Sequence, residues 1–328
     1  MTAERGVSSA EARCPSHGRR GGFALLAVLW IVVAMTTLAL ALELTARSAV
    51  ATATNRLALT RARWRAEGCV EVARAAIADA LGGRATWSAS APTWGTLDEA
   101  VGTAPTIRQA GCRVELRPTG VALDINLADA DALGALFRSA GLPPLTSDSL
   151  TEAVLDWRDA DSLPRARGAE RAWYDSAHRL VPRYGPIADM RELHRVRGYT
   201  EALARVPALD TLLTTEPGRV LLDRAPLPVV ATLPGLGSEA LGRMVELRSR
   251  GVSVSDPMIL LRQLSKEAQA QINPHSMELA GRIVGEPDAW ILTARAASGA
   301  EPALEAAVEL RLVHAGARAA IVRRRTWP

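Results

Sequence analysis

The chain has 328 residues, of which 48% are hydrophobic and 23% are charged, and its formal net charge is +4. This composition excludes wholesale disorder, and the length allows one large domain or two modest ones. The sequence pI is near 9.4. The small excess of cations is dispersed along the chain, however, and is weak evidence for nucleic-acid binding. Three cysteines are too few for a disulfide scaffold or an all-cysteine zinc site.

The first predicted element is an uncharged apolar run of 20 residues, Phe23–Leu42. A helix needs about that length to cross the hydrocarbon core of a bilayer, and Arg19 and Arg20 before it favour a cytoplasmic amino terminus. A secretory signal peptide cut at Ala39-Leu40-Ala41 is one alternative, although its apolar region would be unusually long. A twin-arginine signal is another, supported by little beyond the arginine pair. We expect a retained transmembrane helix.

The same helix is predicted to continue beyond the membrane as a stalk over residues 43–81. No Gly or Pro interrupts the chain from the start of the apolar run to Gly68, so nothing ends the helix where the membrane ends. Between Arg47 and Arg65 the stalk carries five arginines and no acid. Gly82 and Gly83 are the predicted stop.

These features resemble the amino terminus of type IV prepilins and pseudopilins, with a short basic leader over residues 1–22 followed by an apolar helix that becomes a stalk. The resemblance implies that a prepilin peptidase cuts after Gly22 and that the new amino terminus, Phe23, is methylated. Most members carry a glutamate five residues into the mature chain, where this sequence has Ala27. Because an unpaired carboxylate is costly in lipid, its absence suits a subunit with no neighbour to pair with, and it is typical of minor pseudopilin K of the type II secretion system.

After the stalk, residues 82–126 are predicted to begin a sheet domain. Apolar and polar residues alternate on both sides of Pro118-Thr119-Gly120. This pattern predicts a β-hairpin from Cys112 to Ile125.

Residues 127–273 have a different pattern, with short helical runs divided by Pro and Gly. Alternation returns within residues 274–328, where strands are predicted to begin near Ala289, Leu304 and Ala317. A sheet domain interrupted by an all-α inserted domain is the simplest account. The predicted fold class is α+β, a pilin-like long amino-terminal helix packed on a small antiparallel sheet with a large helical insertion. This layout again resembles pseudopilin K, over nearly the whole chain.

Two segments of the sequence echo each other, one beginning at Asp124 and the other at Val220. The second contains the turn PGLG, with Gly235 and Gly237, and resembles a helix-hairpin-helix unit. In DNA-binding versions such glycines let backbone N–H groups approach a phosphate, so a membrane-anchored DNA receptor of the competence type is the alternative function. The glycines can also form a tight turn between packed helices, which the neighbouring acids favour. Nucleic acid is therefore not an expected partner.

A search for catalytic motifs finds none in this sequence. The five histidines have no metal-ligand spacing, and there is no nucleophile elbow, P-loop or dinucleotide fingerprint. The sequence therefore indicates a protein that is not an enzyme and requires no cofactor.

Five acids flank a loop within the segment DWRDADSLPRARGAERAWYDS, and converging carboxylates suit a hard cation such as calcium. They are Asp156, Asp159, Asp161, Glu170 and Asp175. The segment resembles the acidic DW-x-D-x-D motif of pseudopilin K, a family with calcium-binding members, which implies a calcium site. A solvated loop is the other interpretation, with Arg158, Arg165 and Arg167 neutralising the acids.

Cys14 lies in the predicted leader, which leaves Cys69 on the stalk and Cys112 on the first strand. A compartment outside the cytoplasm permits disulfides, and the pilin arrangement of a helix on a sheet implies that these two can bridge. Two buried free thiols are the alternative.

The resemblance to pseudopilin K implies a structural subunit in the cell inner membrane, single-pass, with its amino terminus in the cytoplasm and its bulk in the periplasm. It implies a place at the tip of a type II secretion pseudopilus, where the subunit helps to initiate assembly and the export of folded proteins across the outer membrane. The implied partners are minor pseudopilins I and J, the major pseudopilin, the inner-membrane assembly platform and prepilin peptidase.

Overall fold

The computed structural model describes residues 21–82, 94–109, 112–254, 256–299, 303–315 and 318–327. Two compact units divide between Ala58 and Leu59. The α-helices and strands of the described residues are α1 (Gly21–Gly82), α2 (Leu97–Thr103), α3 (Pro105–Gln109), β1 (Arg113–Pro118), β2 (Leu123–Asp124), α4 (Ala130–Ser139), α5 (Pro144–Arg158), α6 (Arg171–Ser176), α7 (Tyr199–Arg205), α8 (Leu209–Leu212), β3 (Leu213–Thr214), β4 (Val220–Leu221), α9 (Leu227–Val230), α10 (Ser238–Ser249), α11 (Pro257–Leu261), α12 (Lys266–Ile272), α13 (Ser276–Arg282), β5 (Ile283–Val284), β6 (Ala289–Ala297), β7 (Glu305–Ala315) and β8 (Arg318–Trp327).

The first unit contains the apolar part of α1. Every large apolar side chain from Phe23 to Leu44 is exposed, and the helix is long and apolar enough to cross a membrane. Its few polar side chains bond within the helix, because the hydroxyls of Thr36 and Thr37 donate to backbone carbonyls of the preceding turn at 2.9 Å. Internal satisfaction of polar groups is what a hydrocarbon environment requires.

The second unit contains a four-stranded antiparallel sheet in the order β1–β6–β7–β8. Its register places Arg113 opposite Arg295 and continues without a break across β1 and β6. The last three strands begin at Ala289, Glu305 and Arg318, each within a residue of the sequence prediction. The α+β fold with a small antiparallel sheet is confirmed.

The carboxyl-terminal part of α1 packs on one face of this sheet. Its contact face consists of small or medium side chains at helical spacing, and the sheet contributes alternate residues of β6 and β7, as the two-residue period of a strand requires. The buried helix residues are Ala66, Cys69, Val70, Ala73, Ala76 and Ile77, and those from β6 and β7 are Trp290, Leu292, Ala294, Val308, Leu310 and Leu312. The alanines let the helix approach the sheet closely.

The predicted hairpin from Cys112 to Ile125 is wrong. β1 pairs instead with β6, and Thr119 and Ala289, which are 170 positions apart, are joined by three hydrogen bonds, one of them donated by the Thr119 hydroxyl to the Ala289 carbonyl at 3.0 Å. The Thr119 N–H donates to the Ala289 carbonyl at 2.9 Å, and the Thr119 hydroxyl oxygen accepts from the Ala289 N–H at 3.0 Å. A strand that buries Trp290 is a better neighbour for β1 than the short segment after the turn.

After Thr119 the chain leaves the sheet and enters the inserted domain, residues 120–288, which has a separate hydrophobic core. Gly120 has a φ of 84°, and a side chain there would overlap the Arg219 carbonyl. The helical part continues past residue 273 to the end of α13 at Arg282. Because its first and last residues lie beside paired strands, the insertion leaves the sheet register intact.

The inserted domain is built from two repeats. Each opens and closes with a two-residue strand, and the two strands pair in parallel, β2 with β3 and β4 with β5. After each opening strand, a buried residue's carbonyl accepts a hydrogen bond from an arginine at the end of a later helix. Arg158 donates to Ile125 in the first repeat, and Arg248 donates to Leu222 in the second. Burial lowers the pKa of both arginines.

Glu216, which follows β3, fixes the inserted domain to the sheet. Its side chain is 12% exposed and pairs with Arg311 on β7 at 3.2 Å and with Arg323 on β8. Arg325 lies 3.6 Å away. Three guanidinium groups thus surround one largely buried carboxylate.

We expect Glu216→Gln to lower the free energy of unfolding by about 2 kcal/mol, because the substitution removes the carboxylate that three partly buried arginines share. Glu305→Gln is the matched control, since Glu305 pairs with Arg113 at an exposed place on the same sheet and should change stability by less than about 1 kcal/mol. Denaturant titration of the detergent-solubilised chain, followed by tryptophan fluorescence, measures both. Equal losses in the two variants would contradict the role given to Glu216.

Candidate functional site

Three carboxylates meet where α5 ends and α6 begins. Asp156 lies in the last turn of α5, Asp159 is the residue that caps its carboxyl end, and Glu170 immediately precedes α6. One carboxylate oxygen from each lies within 4.8 Å of the other two. The loop between the two helices therefore brings together acids from both of its ends.

This acidic cluster of Asp156, Asp159 and Glu170 is deeply placed and short of hydrogen-bond donors. Asp156 is fully buried and Glu170 is 3% exposed. Among the residues that the structure describes, neither oxygen of Glu170 has a hydrogen-bond partner, and Asp159 Oδ1 also lacks one. Burial, followed by the charges of Asp156 and Asp159, raises the pKa of Glu170 above its ordinary value. Buried carboxylates without partners are costly, so the arrangement calls for a cation.

Arg165, in the loop, supplies part of that positive charge. Its Nη1 atom lies 2.5 Å from Asp156 Oδ1 and 2.6 Å from Asp159 Oδ2. Its backbone N–H also donates to Asp156 Oδ2 at 3.2 Å. These contacts raise the pKa of Arg165, chiefly through the hydrogen bond to Asp159. The guanidinium thus pairs with two carboxylates of the acidic cluster, and Glu170 remains without a hydrogen-bond partner among the described residues.

Gly168 holds the loop close to the acidic cluster, and sequence reasoning missed it. A methyl group at this position would overlap the Asp156 carboxylate. The Gly168 carbonyl accepts a hydrogen bond from Arg197 Nη1 at 2.9 Å, and the Arg197 N–H donates to the Tyr174 hydroxyl at 3.0 Å. The sequence feature that could have identified its role is the position of a glycine two residues before Glu170.

Two of the five predicted acids lie outside the acidic cluster. Asp161 is exposed, and its Oδ1 accepts the Leu163 N–H at 2.8 Å, which closes a local turn. Asp175 is on the exposed side of α6, 3.6 Å from Arg171 Nε. Sequence spacing could not separate these two from the others, because the path of the loop decides which carboxylates converge.

The donor set of the acidic cluster suits a hard divalent cation. Calcium takes six to eight oxygen ligands and favours carboxylates, backbone carbonyls and water. Asp156, Asp159 and Glu170 offer three carboxylates, and the unpartnered oxygens of Glu170 are the atoms with most to gain from a metal ion. These residues fit calcium because their ligand atoms are carboxylate oxygens, and because the buried Glu170 has no other partner among the described residues.

The glycine turn of the second repeat is covered by another helix. Gly235 has a φ of 76°, and a methyl group on it would meet the backbone of Gln271 and Ile272. Glu239, in the first turn of α10, accepts hydrogen bonds of 2.7 Å from the N–H and the hydroxyl of Ser265 before α12. At Gly237 a methyl group would meet the Gln271 side chain. This packing favours a tight turn between helices over a phosphate-binding hairpin.

Two other predicted sites lie on α1. The structure joins Cys69 to Cys112 by a disulfide, with Cα atoms 5.3 Å apart. Gly22 and Phe23 both lie within the helix, and Phe23 is 81% exposed. The leader before Gly21, including Cys14, lies outside the described residues.

The fold and its sites define a class of protein, in which an apolar amino-terminal helix continues onto an antiparallel sheet that carries a helical insertion. Residues 118–212 match the model of the type II secretion system protein K family. The matched range covers the first repeat from the end of β1 to the end of α8 and includes the acidic cluster. The resemblance to pseudopilin K that the sequence indicates is confirmed.

A solved structure supports the same fold. The chain is similar to a chain of the GspK–GspI–GspJ complex from the enterotoxigenic Escherichia coli type 2 secretion system, with a TM-score of 0.56 and 14% sequence identity. The similarity covers 82% of this chain and 96% of that chain. No curated protein sequence matches the chain significantly.

Substitution of Glu170 should raise stability without calcium and lower the stabilisation that calcium provides, because both oxygens of this buried side chain lack a hydrogen-bond partner among the described residues. In chelator at neutral pH, Glu170→Gln should raise the free energy of unfolding by about 1–3 kcal/mol, because the amide removes an unpaired buried charge and can donate to the neighbouring carboxylates. In millimolar calcium the same variant should lose most of the calcium-induced rise in melting temperature. Asp175→Asn, at an exposed position outside the acidic cluster, is the control and should behave as the wild type.

The same residue predicts the pH dependence of the metal-free chain. Since the folded state raises the pKa of Glu170 above its ordinary value of 4.5, the folded state holds this proton more tightly than the unfolded state. Its contribution to stability is therefore present at low pH and is lost as pH rises from about the ordinary value through the raised one. Thermal melts in chelator across this range should show Glu170→Gln gaining stability relative to the wild type as pH rises, because it lacks this titration, and a constant difference between the two would contradict the assignment.

Proposed function

We propose that the protein is a minor pseudopilin at the tip of a type II secretion pseudopilus, where it helps to initiate assembly and the export of folded proteins across the outer membrane. The observation that carries this proposal is the match of residues 118–212 to protein K of that system. The fold it shares with a chain of the GspK–GspI–GspJ complex supports it. That likeness supports minor pseudopilins I and J as its partners. The proposal extends to the major pseudopilin, the inner-membrane assembly platform and prepilin peptidase, as the sequence resemblance to pseudopilin K implies.

The proposed maturation follows from the amino terminus. A prepilin peptidase cuts after Gly22, Phe23 is methylated, and the mature chain is a single-pass inner-membrane protein with its bulk in the periplasm. Arg19 and Arg20 beside the apolar run support this orientation. Ala27 supports a terminal subunit, because there is no carboxylate in lipid that needs a neighbour's amine.

The mechanical role divides between the two parts of the chain. The apolar helix can join a helical bundle from one side, while the inserted domain, residues 120–288, is bulky enough to block another subunit from stacking. Glu216 and its arginines keep that domain fixed on the sheet. The role is structural, and no step of it requires catalysis.

Calcium is proposed as a ligand of the inserted domain. Asp156, Asp159 and Glu170 would hold it, and the charge it supplies would neutralise the carboxylates that converge there. By joining the end of α5 to the start of α6, the ion would stabilise the loop that lies between them. The DNA-receptor alternative lacks comparable support, because the Gly235 turn packs on α12.

Excision of the inserted domain tests the tip function. Since Thr119 and Ala289 already exchange hydrogen bonds, residues 120–288 can be replaced by an Asn-Gly turn, which would convert β1 and β6 into a hairpin. The excised chain retains the core between α1 and the sheet, so it should enter the membrane but should support secretion at least about 10-fold less well and fail to co-purify with minor pseudopilins I and J.

The Cys69–Cys112 bridge serves as the folding control for this experiment, since its formation requires α1 to lie against β1. A folded, bridged excision variant with normal secretion and a normal complex would disprove the role of the inserted domain.

A further inference from the structure

Arg165 occupies the place at which a cation would meet the acidic cluster. Its Nη1 atom contacts both Asp156 and Asp159 at 2.5–2.6 Å, and one oxygen of each lies within 4.8 Å of an oxygen of Glu170. A metal ion bound by these three carboxylates would need the same oxygens and the same small space. Guanidinium and metal ion therefore exclude each other.

The position of Arg165 permits exchange. Its side chain is 39% exposed, whereas Asp156 beneath it is fully buried. The guanidinium thus enters from the surface and can rotate back into solvent without disturbing α5 or α6. It rests on a flexible aliphatic stem, so the movement requires rotamer changes only.

The neighbouring arginines have other partners. Arg167 pairs with Asp148 at 3.2 Å, and Arg158 donates to the carbonyls of Ile125 and Ala128. Among these three arginines, Arg165 alone contacts carboxylates of the acidic cluster in the part of the chain that the structure describes. Its role can therefore be separated from that of the general positive charge of the loop.

We propose that Arg165 is a resident counter-ion that competes with calcium for the acidic cluster. In the metal-free chain the guanidinium holds Asp156 and Asp159 and keeps the loop folded, and calcium binding displaces it into solvent while Glu170 gains its missing partner. The inference rests on the proposed calcium site and adds that competition with Arg165 sets the calcium affinity. It also lets the inserted domain fold before calcium is available.

Calorimetric titration of calcium chloride into the detergent-solubilised full chain tests the competition. Arg165→Gln should bind calcium at least about 10-fold more tightly than the wild type, equivalent to about 1.4 kcal/mol, because the competitor is gone. Arg167→Gln, the same change two residues away, should stay within about 3-fold of the wild type. Without calcium, Arg165→Gln should melt below Arg167→Gln, since Asp156 and Asp159 lose their counter-ion.

A second measurement uses the wild-type chain and does not depend on the folding of a variant. Phenylglyoxal modifies unpaired guanidinium groups, and peptide mass spectrometry reports the extent at each arginine. Calcium should increase modification of Arg165 several-fold and leave Arg167 unchanged.

The outcomes separate the two proposals. Equal calcium affinities for Arg165→Gln and Arg167→Gln, or modification of Arg165 that does not rise with calcium, would overturn the competition and leave the calcium site standing. Absence of calcium binding by the wild type and by Arg165→Gln would overturn both.

Discussion

The pairing of β1 with β6 is the constraint on which the rest of the second unit depends. These strands are far apart in sequence, yet Thr119 and Ala289 exchange hydrogen bonds at the point where β1 ends and β6 begins. The chain can therefore leave the sheet, build a domain with its own core, and return to the neighbouring strand without altering the register. Glu216 then anchors that domain to β7 and β8 through arginines. The helix-on-sheet part and the inserted domain thereby keep separate hydrophobic cores, and the β1–β6 register stays continuous.

The inserted domain shows how a repeated unit can diverge. Both repeats retain the parallel strand pair and the arginine that donates to the buried carbonyl after the first strand, Arg158 in one and Arg248 in the other. The first repeat also carries the acidic cluster, whose buried Glu170 lacks partners. The second has the glycine turn at Gly235, which lets its hairpin lie against α12. In the described residues, the buried carboxylates of the acidic cluster thus belong to the first repeat, and the closely packed glycine turn belongs to the second.

Features that depend on local pattern were predictable, and features that depend on the path of the chain were not. The uninterrupted helix α1 follows from composition and from the absence of Gly and Pro between Phe23 and Gly68, and the last three strands follow from alternation. The hairpin from Cys112 to Ile125 failed because the true partner of β1 is distant in sequence, and alternation does not identify a partner. The spacing of the acids indicated a cation site, but only the fold distinguishes Asp159 from Asp161. The roles of Arg165 and Gly168 likewise depend on how the loop turns over Asp156.

The apolar amino-terminal helix, the antiparallel sheet that follows it in the sequence, and the match to protein K support the central proposal, that the chain is matured and assembled as a pseudopilin. Mass spectrometry of the amino terminus of the membrane-extracted protein tests this claim most directly. The account predicts a chain that begins at a methylated Phe23. An intact Met1, or a chain that begins at Leu42 after signal-peptide cleavage, would contradict it.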